Sequence, residues 1–371
     1  MPIFKTSALL PLLCAASSLF GVSSANPIVG RRPGTEPASY TLGTVHQFPN
    51  FTWLENLAIR ATGEIVATDI SNAVIYLIDP KENPAPASVI AQFPPGTSLT
   101  GIAELSPDLF YVQSVDGFVY NFTFTPGTAK LWEVDLRDQA RGAVVTKVLD
   151  MPENKVPNGL GVLPTGRKGK GESNLLLSAD SAGGVVYLID VVHKSYHVVF
   201  DDPLLKPNAT ARPAFGVNGV HVVPGDAKAD TSTLYFTNTN FGYLGAVTIG
   251  KNDGTPRGKP WLITDKVPAA DDFAIDSDGS FWVTQNVRQT LSLVSSDGTV
   301  TFVAGGVNST DLLGPVAAAF GRTSEDRANG VLYISTDGVL VDPATGRVLR
   351  TAGKIAKLAT KRGGGQGWGD W

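Results

Sequence analysis

The chain has 371 residues, of which 43% are hydrophobic, so it is long enough to bury a large core. Its formal net charge is −4 and no sustained basic stripe runs along it, which argues against a nucleic-acid-binding protein. Its 40 glycines and 25 prolines indicate many turns, as all-β folds require.

The first 25 residues have the pattern of a secretory signal peptide. Lys5 supplies the positive start, Ala8–Phe20 is an apolar run too short to span a bilayer comfortably, and Ala25 fits the small-residue cleavage rule. The single cysteine, Cys14, lies inside this segment. We therefore expect a mature chain without disulfides, either secreted or in the lumen of the secretory pathway. Four Asn-x-Ser/Thr sequons fit that route and are candidate glycosylation sites: Asn50, Asn121, Asn208 and Asn308.

The remaining chain divides into a lead-in, one repetitive domain and a tail. Residues 26–39 are rich in Pro, Gly and Arg and are interpreted as extended, whereas residues 359–371 are glycine-rich and predicted to be disordered. Between them, residues 40–358 repeat one plan six times, in which a polar or small residue begins an apolar strand and further short strands follow. The starts lie in residues 55–59, 101–105, 158–162, 215–221, 272–276 and 317–320.

This repeat predicts the fold class. A period of roughly 45–60 residues, with almost no helical periodicity, is typical of an all-β, six-bladed β-propeller forming one closed domain. The strand-like segment Tyr40–His46 precedes the first full unit. We expect it to complete the last blade, because that pairing removes an exposed sheet edge.

Four polar residues begin innermost strands and are predicted to point into a central channel: Glu55, Asn158, Asn218 and Asp272. Two carboxylates and two amides form an all-oxygen set, which suits calcium or another hard divalent cation and is poor for zinc. Without an ion, converging carboxylates should raise at least one pKa. Asp271 precedes Asp272, and strand alternation allows only one of the two to point inward. Alternatively, each polar residue only satisfies backbone groups at a turn.

Other motifs give no specific chemistry. Asp276-Ser-Asp-Gly279 resembles the start of a calcium loop, but position twelve is Val287, so a hairpin turn is predicted. The four histidines show no metal-ligand spacing. His221 follows Asn218 by three positions, so alternation is expected to turn it away from the channel as a structural residue.

Six segments together resemble a known group of proteins: residues 53–59 (WLENLAI), 157–160 (PNGL), 217–220 (VNGV), 234–239 (LYFTNT), 271–276 (DDFAID) and 317–322 (AAAFGR). The group is the gluconolactonase, regucalcin and luciferin-regenerating-enzyme superfamily of six-bladed propellers, in particular its secreted fungal branch. The resemblance covers about residues 40–355 and implies a channel-floor metal site on the same four residues. In hydrolytic members, the position of Asp272 also helps to activate the nucleophile. Those members often have Pro-Asp-Gly there, so the bulk of Phe273 argues against an ordinary lactonase pocket.

The fungal branch also resembles hetero-Diels–Alderases of meroterpenoid secondary metabolism, which couple a tropolone-derived quinone methide to a humulene-type olefin. Such a reaction depends mainly on orienting two apolar reactants. Aromatic residues near the strand starts are predicted to bind them, although each could equally pack between blades: Trp53, Phe215, Phe241, Tyr243 and Phe273.

Three functions therefore stay open. The first is a cycloaddition enzyme, the second is a calcium-dependent hydrolase of lactones or phosphoesters in which Asp272 assists water, and the third is a non-catalytic ligand-binding propeller. In each case we expect a monomer with a small-molecule substrate or ligand, and neither a nucleic-acid nor a membrane partner.

Overall fold

The computed structural model describes residues 40–49, 51–118, 122–138, 140–165, 173–226, 228–307, 309–341 and 348–360. The predicted signal peptide and lead-in lie outside these residues, as do residues 361–371 of the tail and three of the sequon asparagines: Asn50, Asn121 and Asn308. Asn208 is described and partly exposed, and the Thr210 hydroxyl donates to its Oδ1 at 2.8 Å. Within the described ranges, no helix has the length and apolar character that crossing a membrane would need.

Six antiparallel sheets form the blades of a propeller. Strand β1 (Thr41–Gln47) comes first and belongs to blade 6. Blade 1 contains β2 (Leu54–Ile59), β3 (Ile65–Asp69), β4 (Val74–Ile78) and β5 (Ala87–Gln92). Blade 2 contains β6 (Thr97–Ser106), β7 (Leu109–Phe118), β9 (Lys130–Asp135) and β10 (Val144–Asp150), with the short β8 (Thr123–Phe124) paired to the end of β7. Blade 3 contains β11 (Pro157–Val162), β12 (Leu175–Asp180), β13 (Val185–Asp190) and β14 (Ser195–Asp201).

The second half of the ring repeats the pattern. Blade 4 contains β15 (Val217–Pro224), β16 (Thr231–Asn238), β17 (Tyr243–Gly250) and β18 (Trp261–Thr264), and blade 5 contains β19 (Ala270–Ile275), β20 (Phe281–Gln285), β21 (Thr290–Val294) and β22 (Val300–Gly305). Blade 6 contains β23 (Pro315–Phe320), β24 (Val331–Thr336) and β27 (Lys354–Ala359) with β1 outermost. A separate hairpin pairs β25 (Val339–Val341) with β26 (Val348–Arg350); helix α1 spans Ser324–Asn329, and two 3₁₀ turns span Pro203–Leu205 and Asn286–Arg288.

The innermost strands close a ring. Strands β2, β6, β11, β15, β19 and β23 each contact the next, and β23 contacts β2. Strand β1 pairs antiparallel with β27, with Thr41 opposite Ala359 and Gln47 opposite Lys354. The predicted six-bladed propeller and its closure by an N-terminal strand are therefore confirmed.

The hydrophobic core lies between the blades. Six clusters of buried side chains each join two neighbouring blades, including the pair formed by blades 6 and 1. Both faces of the inner strands are covered, which explains why β3 and β12 are buried along their whole length. Because burial of apolar area scales with stability, closing the ring stabilises every blade through both of its faces.

A β-bulge interrupts each innermost strand near its start. The register shifts between residues 54 and 56, 99 and 102, 157 and 160, 217 and 220, 270 and 273, and 315 and 318. A bulge inserts one extra residue and re-aims the side chains around it. We call the six equivalent first bulge residues the bulge ring; they are Glu55, Thr100, Asn158, Asn218, Asp271 and Val316.

Cross-blade hydrogen bonds hold the bulge ring in place. Thr68 Oγ1 donates to the Thr100 carbonyl at 2.8 Å, and Thr284 Oγ1 donates to the Val316 carbonyl at 2.6 Å. Equivalent bonds run from Gln113, Ser181 and Thr237 to the carbonyls of Asn158, Val217 and Asp271. The second strand of one blade thus positions the bulge of the next.

Candidate functional site

Three of the four predicted ligands lie in the bulge ring, and the fourth position is taken by a neighbour. Glu55, Asn158 and Asn218 occupy equivalent positions and are buried. In blade 5 the equivalent residue is Asp271, whereas Asp272 is the second bulge residue. The choice of Asp272 as the ring carboxylate is therefore corrected to Asp271, because the bulge register, which the sequence does not reveal, selects between them.

The ring carboxyls are electrostatically close. Burial raises the pKa of Asp271 well above its usual range, and the negative charges of Glu55, Asp272 and Asp337 raise it further. Burial also raises the pKa of Glu55 to about 7, although the hydrogen bond from Trp53 Nε1–H to Glu55 Oε2, at 3.0 Å, opposes the shift. The convergence of carboxylates expected from the sequence is thus present, and it includes both Asp271 and Asp272, since the charge of Asp272 also raises the pKa of Glu55.

Asp337, which follows β24, is a member of this group that the sequence did not indicate. Burial raises its pKa to about 8, and Glu55 adds to the rise. Asn286 Nδ2 donates to Asp337 Oδ2 at 2.8 Å, and the Val339 amide donates to Oδ1 at 2.6 Å. In the sequence, Asp337-Gly338 resembles an ordinary turn. The electrostatic interaction of Asp337 with Glu55 becomes visible only in the folded ring.

The polar side chains of the bulge ring offer oxygen atoms, the donor type that hard cations prefer. Among the described residues, no group of three or more His, Cys, Asp or Glu side chains is arranged to hold a metal ion. Amide and hydroxyl oxygens extend the set, however. Asn218 Oδ1 is buried without a hydrogen-bond partner, while its Nδ2 donates to Thr239 Oγ1 at 2.9 Å, and Thr100 Oγ1 is likewise unpartnered. Unpartnered oxygens beside two carboxylates are the ligands that calcium prefers.

A hydrogen-bonded His–Asp pair adjoins the bulge ring, because Asp272 directly follows Asp271. His221 Nε2 is 2.8 Å from Asp272 Oδ1, Asn56 Nδ2 donates to Asp272 Oδ2 at 3.0 Å, and the Phe273 amide also donates to Oδ1. Asn56 belongs to blade 1 and Asp272 to blade 5; blade 6 lies between them, so the bond links two blades that are not neighbours. The expectation that His221 points away from the channel is therefore wrong, because the bulge breaks the strand alternation on which it rested.

Gly219 leaves room for the Asp272 carboxylate of this pair. A Cβ on Gly219 would lie 2.3 Å from Asp272 Oδ1, so no larger residue fits without moving the carboxylate. The side chain of His221 is 37% exposed, whereas that of Asp272 is only 8% exposed. The imidazole is thus the accessible member of the pair, and the aspartate is the buried member that orients it.

The far end of the channel carries a cross-ring ion pair. Arg322, which follows β23 in blade 6, donates to Glu104 of blade 2 and to the Ile59 carbonyl of blade 1. Blades 6 and 2 are separated by blade 1, so this pair links two blades that are not neighbours. The bulge ring lies at the opposite end of the inner strands.

Two of the predicted aromatic residues meet at that end through a third. Trp53 precedes β2 and Phe215 precedes β15, on opposite sides of the ring, and Phe122 contacts both, with ring centroids 6.1 Å and 5.6 Å apart. We call Trp53, Phe122 and Phe215 the aromatic layer. Phe122 was missed because it lies in a hairpin of blade 2, away from any strand start.

The other predicted aromatic residues make their ring contacts outside this layer, although Asn240, beside Phe241, hydrogen-bonds the backbone of Phe215. Phe241 and Tyr243 stack on each other at 5.3 Å beside the β16–β17 turn of blade 4. Phe273 is fully buried in the core between blades 4 and 5, with its ring against His221 and Phe281. Its assignment as a substrate-binding residue is corrected, since it supports the histidine from behind and has no surface open to a ligand.

No family model matches the chain. A Phoma sp. protein named "Putative hetero-Diels-Alderase" is 25% identical over 326 residues, covering 82% of this chain and 88% of that protein. Among solved structures, regucalcin from Agrobacterium tumefaciens, described as calcium-binding, has a TM-score of 0.55 and 16% identity over 86% of this chain and 95% of its own. A luciferin-regenerating enzyme has a TM-score of 0.61 and 11% identity over 89% of this chain and 98% of its own. The resemblance inferred from the motifs is therefore confirmed: the chain is a six-bladed β-propeller with the fold of regucalcin and luciferin-regenerating enzyme, and it is similar in sequence to the Phoma sp. protein named "Putative hetero-Diels-Alderase".

Proposed function

We propose that the chain is a secreted enzyme of secondary metabolism that accelerates a hetero-Diels–Alder-type cycloaddition between two small reactants in its channel mouth. One observation carries this proposal: Trp53 contacts Phe122 and also hydrogen-bonds Glu55. The aromatic layer and the polar bulge ring are therefore adjacent. An apolar olefin against the rings and a polar heterodiene against the oxygens would meet face to face.

The cycloaddition itself needs positioning and no external reagent. The carbonyl oxygen and the terminal carbon of the heterodiene each form a bond to one carbon of the olefin, and all atoms are retained. Holding both partners in a near-attack geometry supplies up to roughly 7–11 kcal/mol in favourable cases. The Arg322–Glu104 ion pair links blades 6 and 2 at the other end of the inner strands, and this link supports such confinement.

The His221–Asp272 pair suits the preceding dehydration. A quinone methide forms when a hydroxymethyl-bearing tropolone loses water, which requires a proton for the leaving hydroxyl group and removal of the ring hydroxyl proton. Asp272 holds Nε2, so Nδ1 of His221 is the atom that gives the proton, and the ring hydroxyl proton returns to the pair. General acid–base assistance of this kind typically contributes about 10²–10⁴-fold.

A divalent cation such as calcium would be held by Glu55, Asn218 and Asp271, with Asn158 in the same ring. Bound there, it would supply Lewis-acid polarisation of the heterodiene carbonyl. The chain's own residues would orient that carbonyl, because the aromatic layer occupies the opposite side of the mouth.

The test is a direct reaction. The protein is incubated with a quinone-methide precursor and a humulene-type olefin, and the rate and enantiomeric ratio of the product are measured by chiral chromatography. We expect a faster reaction and an excess of one stereoisomer. A rate and ratio equal to those without protein would reject the proposal.

A calcium-dependent hydrolase of lactones or phosphotriesters is the second candidate, favoured by the unpartnered Asn218 oxygen beside two carboxyls. In that case a chelator should abolish turnover of simple lactones, and Asp272→Asn should lower it by about 100-fold or more. A non-catalytic binding propeller would instead take up ligand without conversion in either assay. For every one of these functions we propose a monomer, glycosylated on Asn208.

A further inference from the structure

Strand β7 extends beyond its own blade. It pairs with β9 as far as Ser114 and with β6 as far as Asp116, after which Gly117 and Phe118 pair with Phe124 and Thr123 of β8. A Cβ on Gly117 would lie 2.4 Å from the Thr123 carbonyl oxygen, so this hairpin closes only around a glycine. The sequence thus builds a projection from blade 2 at the mouth of the channel.

Phe122 is held at this projection in an unusual backbone conformation. Its φ is +52°, in the left-handed region that bulky residues rarely adopt. Backbone outliers of this kind persist only where the surroundings enforce them, and they cluster at ligand sites. The left-handed backbone of Phe122 is therefore consistent with a role of its ring beyond packing.

The ring of Phe122 is both anchored and accessible. It meets Trp53 at an interplanar angle of 82° and Phe215 at 77°, both edge-to-face. It nevertheless remains 39% exposed, unlike the core aromatics Phe236 and Phe273. Trp53 and Phe215 come from opposite blades, so Phe122 packs between side chains from two sides of the mouth and keeps one surface open to a ligand.

We propose that Phe122 is a specificity-determining residue that forms one wall of an apolar subsite for the cyclic olefin, and that it selects which face of the olefin meets the polar reactant. This inference rests on the proposed cycloaddition. Cyclic hydrocarbons suit the subsite because its walls are three aromatic rings. The Glu55 carboxyl accepts a hydrogen bond from the Trp53 indole at 3.0 Å, so a polar group borders the subsite and the two reactants can meet at that border.

Three variants test the inference. Phe122→Asn removes the ring with a residue that tolerates the left-handed backbone, and Phe122→Tyr keeps the ring. Phe302→Ala, on the outer strand β22 and 59% exposed, is the matched control for loss of an exposed phenylalanine. Product stereochemistry, kcat and KM for the olefin are measured, together with the Kd of an unreactive saturated cyclic analogue by calorimetry.

We expect Phe122→Asn to raise KM and the analogue Kd at least tenfold and to move the stereoisomer ratio toward the spontaneous one. Phe302→Ala should stay within twofold of the parent, and Phe122→Tyr, which keeps the ring, should lie closer to the parent than Phe122→Asn does. A folded Phe122→Asn protein with unchanged Kd and stereochemistry overturns the inference. If the parent shows no catalysis, the proposed cycloaddition fails, while the Kd comparison alone still decides the subsite.

Discussion

Replacing Glu55 with glutamine tests the electrostatics of the bulge ring. The substitution keeps the shape of the side chain and removes its titration. The folded pKa of Glu55 is about 7 against an ordinary value of 4.5, so the folded protein retains a proton that the unfolded chain has already released. By linkage, that difference costs about 3 kcal/mol of stability once both states are ionised.

The sign follows from the raised pKa. Below pH 4.5 both states are protonated and the carboxyl costs nothing; as the pH rises to about 7 the unfolded state ionises first, so stability falls and then levels. For a domain of this size, about 3 kcal/mol corresponds to a Tm decrease on the order of 5 °C. Glu55→Gln should reduce this decrease without abolishing it, because the raised pKa values of Asp271 and Asp337 act in the same direction.

The assay is thermal unfolding followed by circular dichroism between pH 5 and 9, in chelator-treated buffer. Exposed Glu82→Gln is the matched control and should track the parent. Calcium added at pH 8 should raise the Tm of the parent more than that of Glu55→Gln, and at pH 5 it should raise neither, because ligands must be deprotonated. A parent Tm that is constant or rises between pH 5 and 8 without metal would refute the reasoning.

Four further outcomes are expected. Phe273→Ala should cost about 3–5 kcal/mol in urea unfolding, as buried phenylalanines do, yet leave product stereochemistry unchanged in the folded fraction; a changed ratio would return Phe273 to the substrate site. Gly219→Ala should displace the Asp272 carboxylate and lower turnover at least tenfold while the far-ultraviolet spectrum stays native, and full activity would contradict that contact. His221→Gln should slow conversion of the hydroxymethyl precursor by about 10²–10⁴-fold but not that of a quinone methide generated in situ, whereas equal losses would assign His221 to positioning. Deleting β1 should lower the Tm and promote association through the bared β27 edge, measured by scattering; an unaltered Tm would show that closure adds no stability.

The fold was predictable because its signals are local and repeated. Short apolar strands, turn residues between them and a regular period define blades, and an extra strand before the first unit implies its use in the last. The polar starts of the inner strands were visible for the same reason. Glu55, Asn158 and Asn218 each stand at the same place in their unit, so their meeting follows once the ring closes.

The errors share one physical cause. A period of two assigns each strand residue to a face, but the bulge adds a residue and reverses the assignment beyond it. The bulge in β19 exchanged Asp271 for Asp272 and sent Phe273 into the core, and the separate bulge in β15 turned His221 toward Asp272. Phe122 could not be found by strand position at all, since its partners are distant in sequence and only the closed ring brings them together.

The pairing of β1 with β27 in blade 6, which we call the seam, makes circular permutation of the propeller feasible. The first and last strands that the structure describes run side by side, with Thr41 opposite Ala359. A short peptide could therefore tie them together, and new termini could be cut into the turn between any two blades. Such circular permutants would move the seam around the ring while leaving the channel's inner wall uninterrupted, which offers a way to attach fusion partners on a chosen side of the mouth.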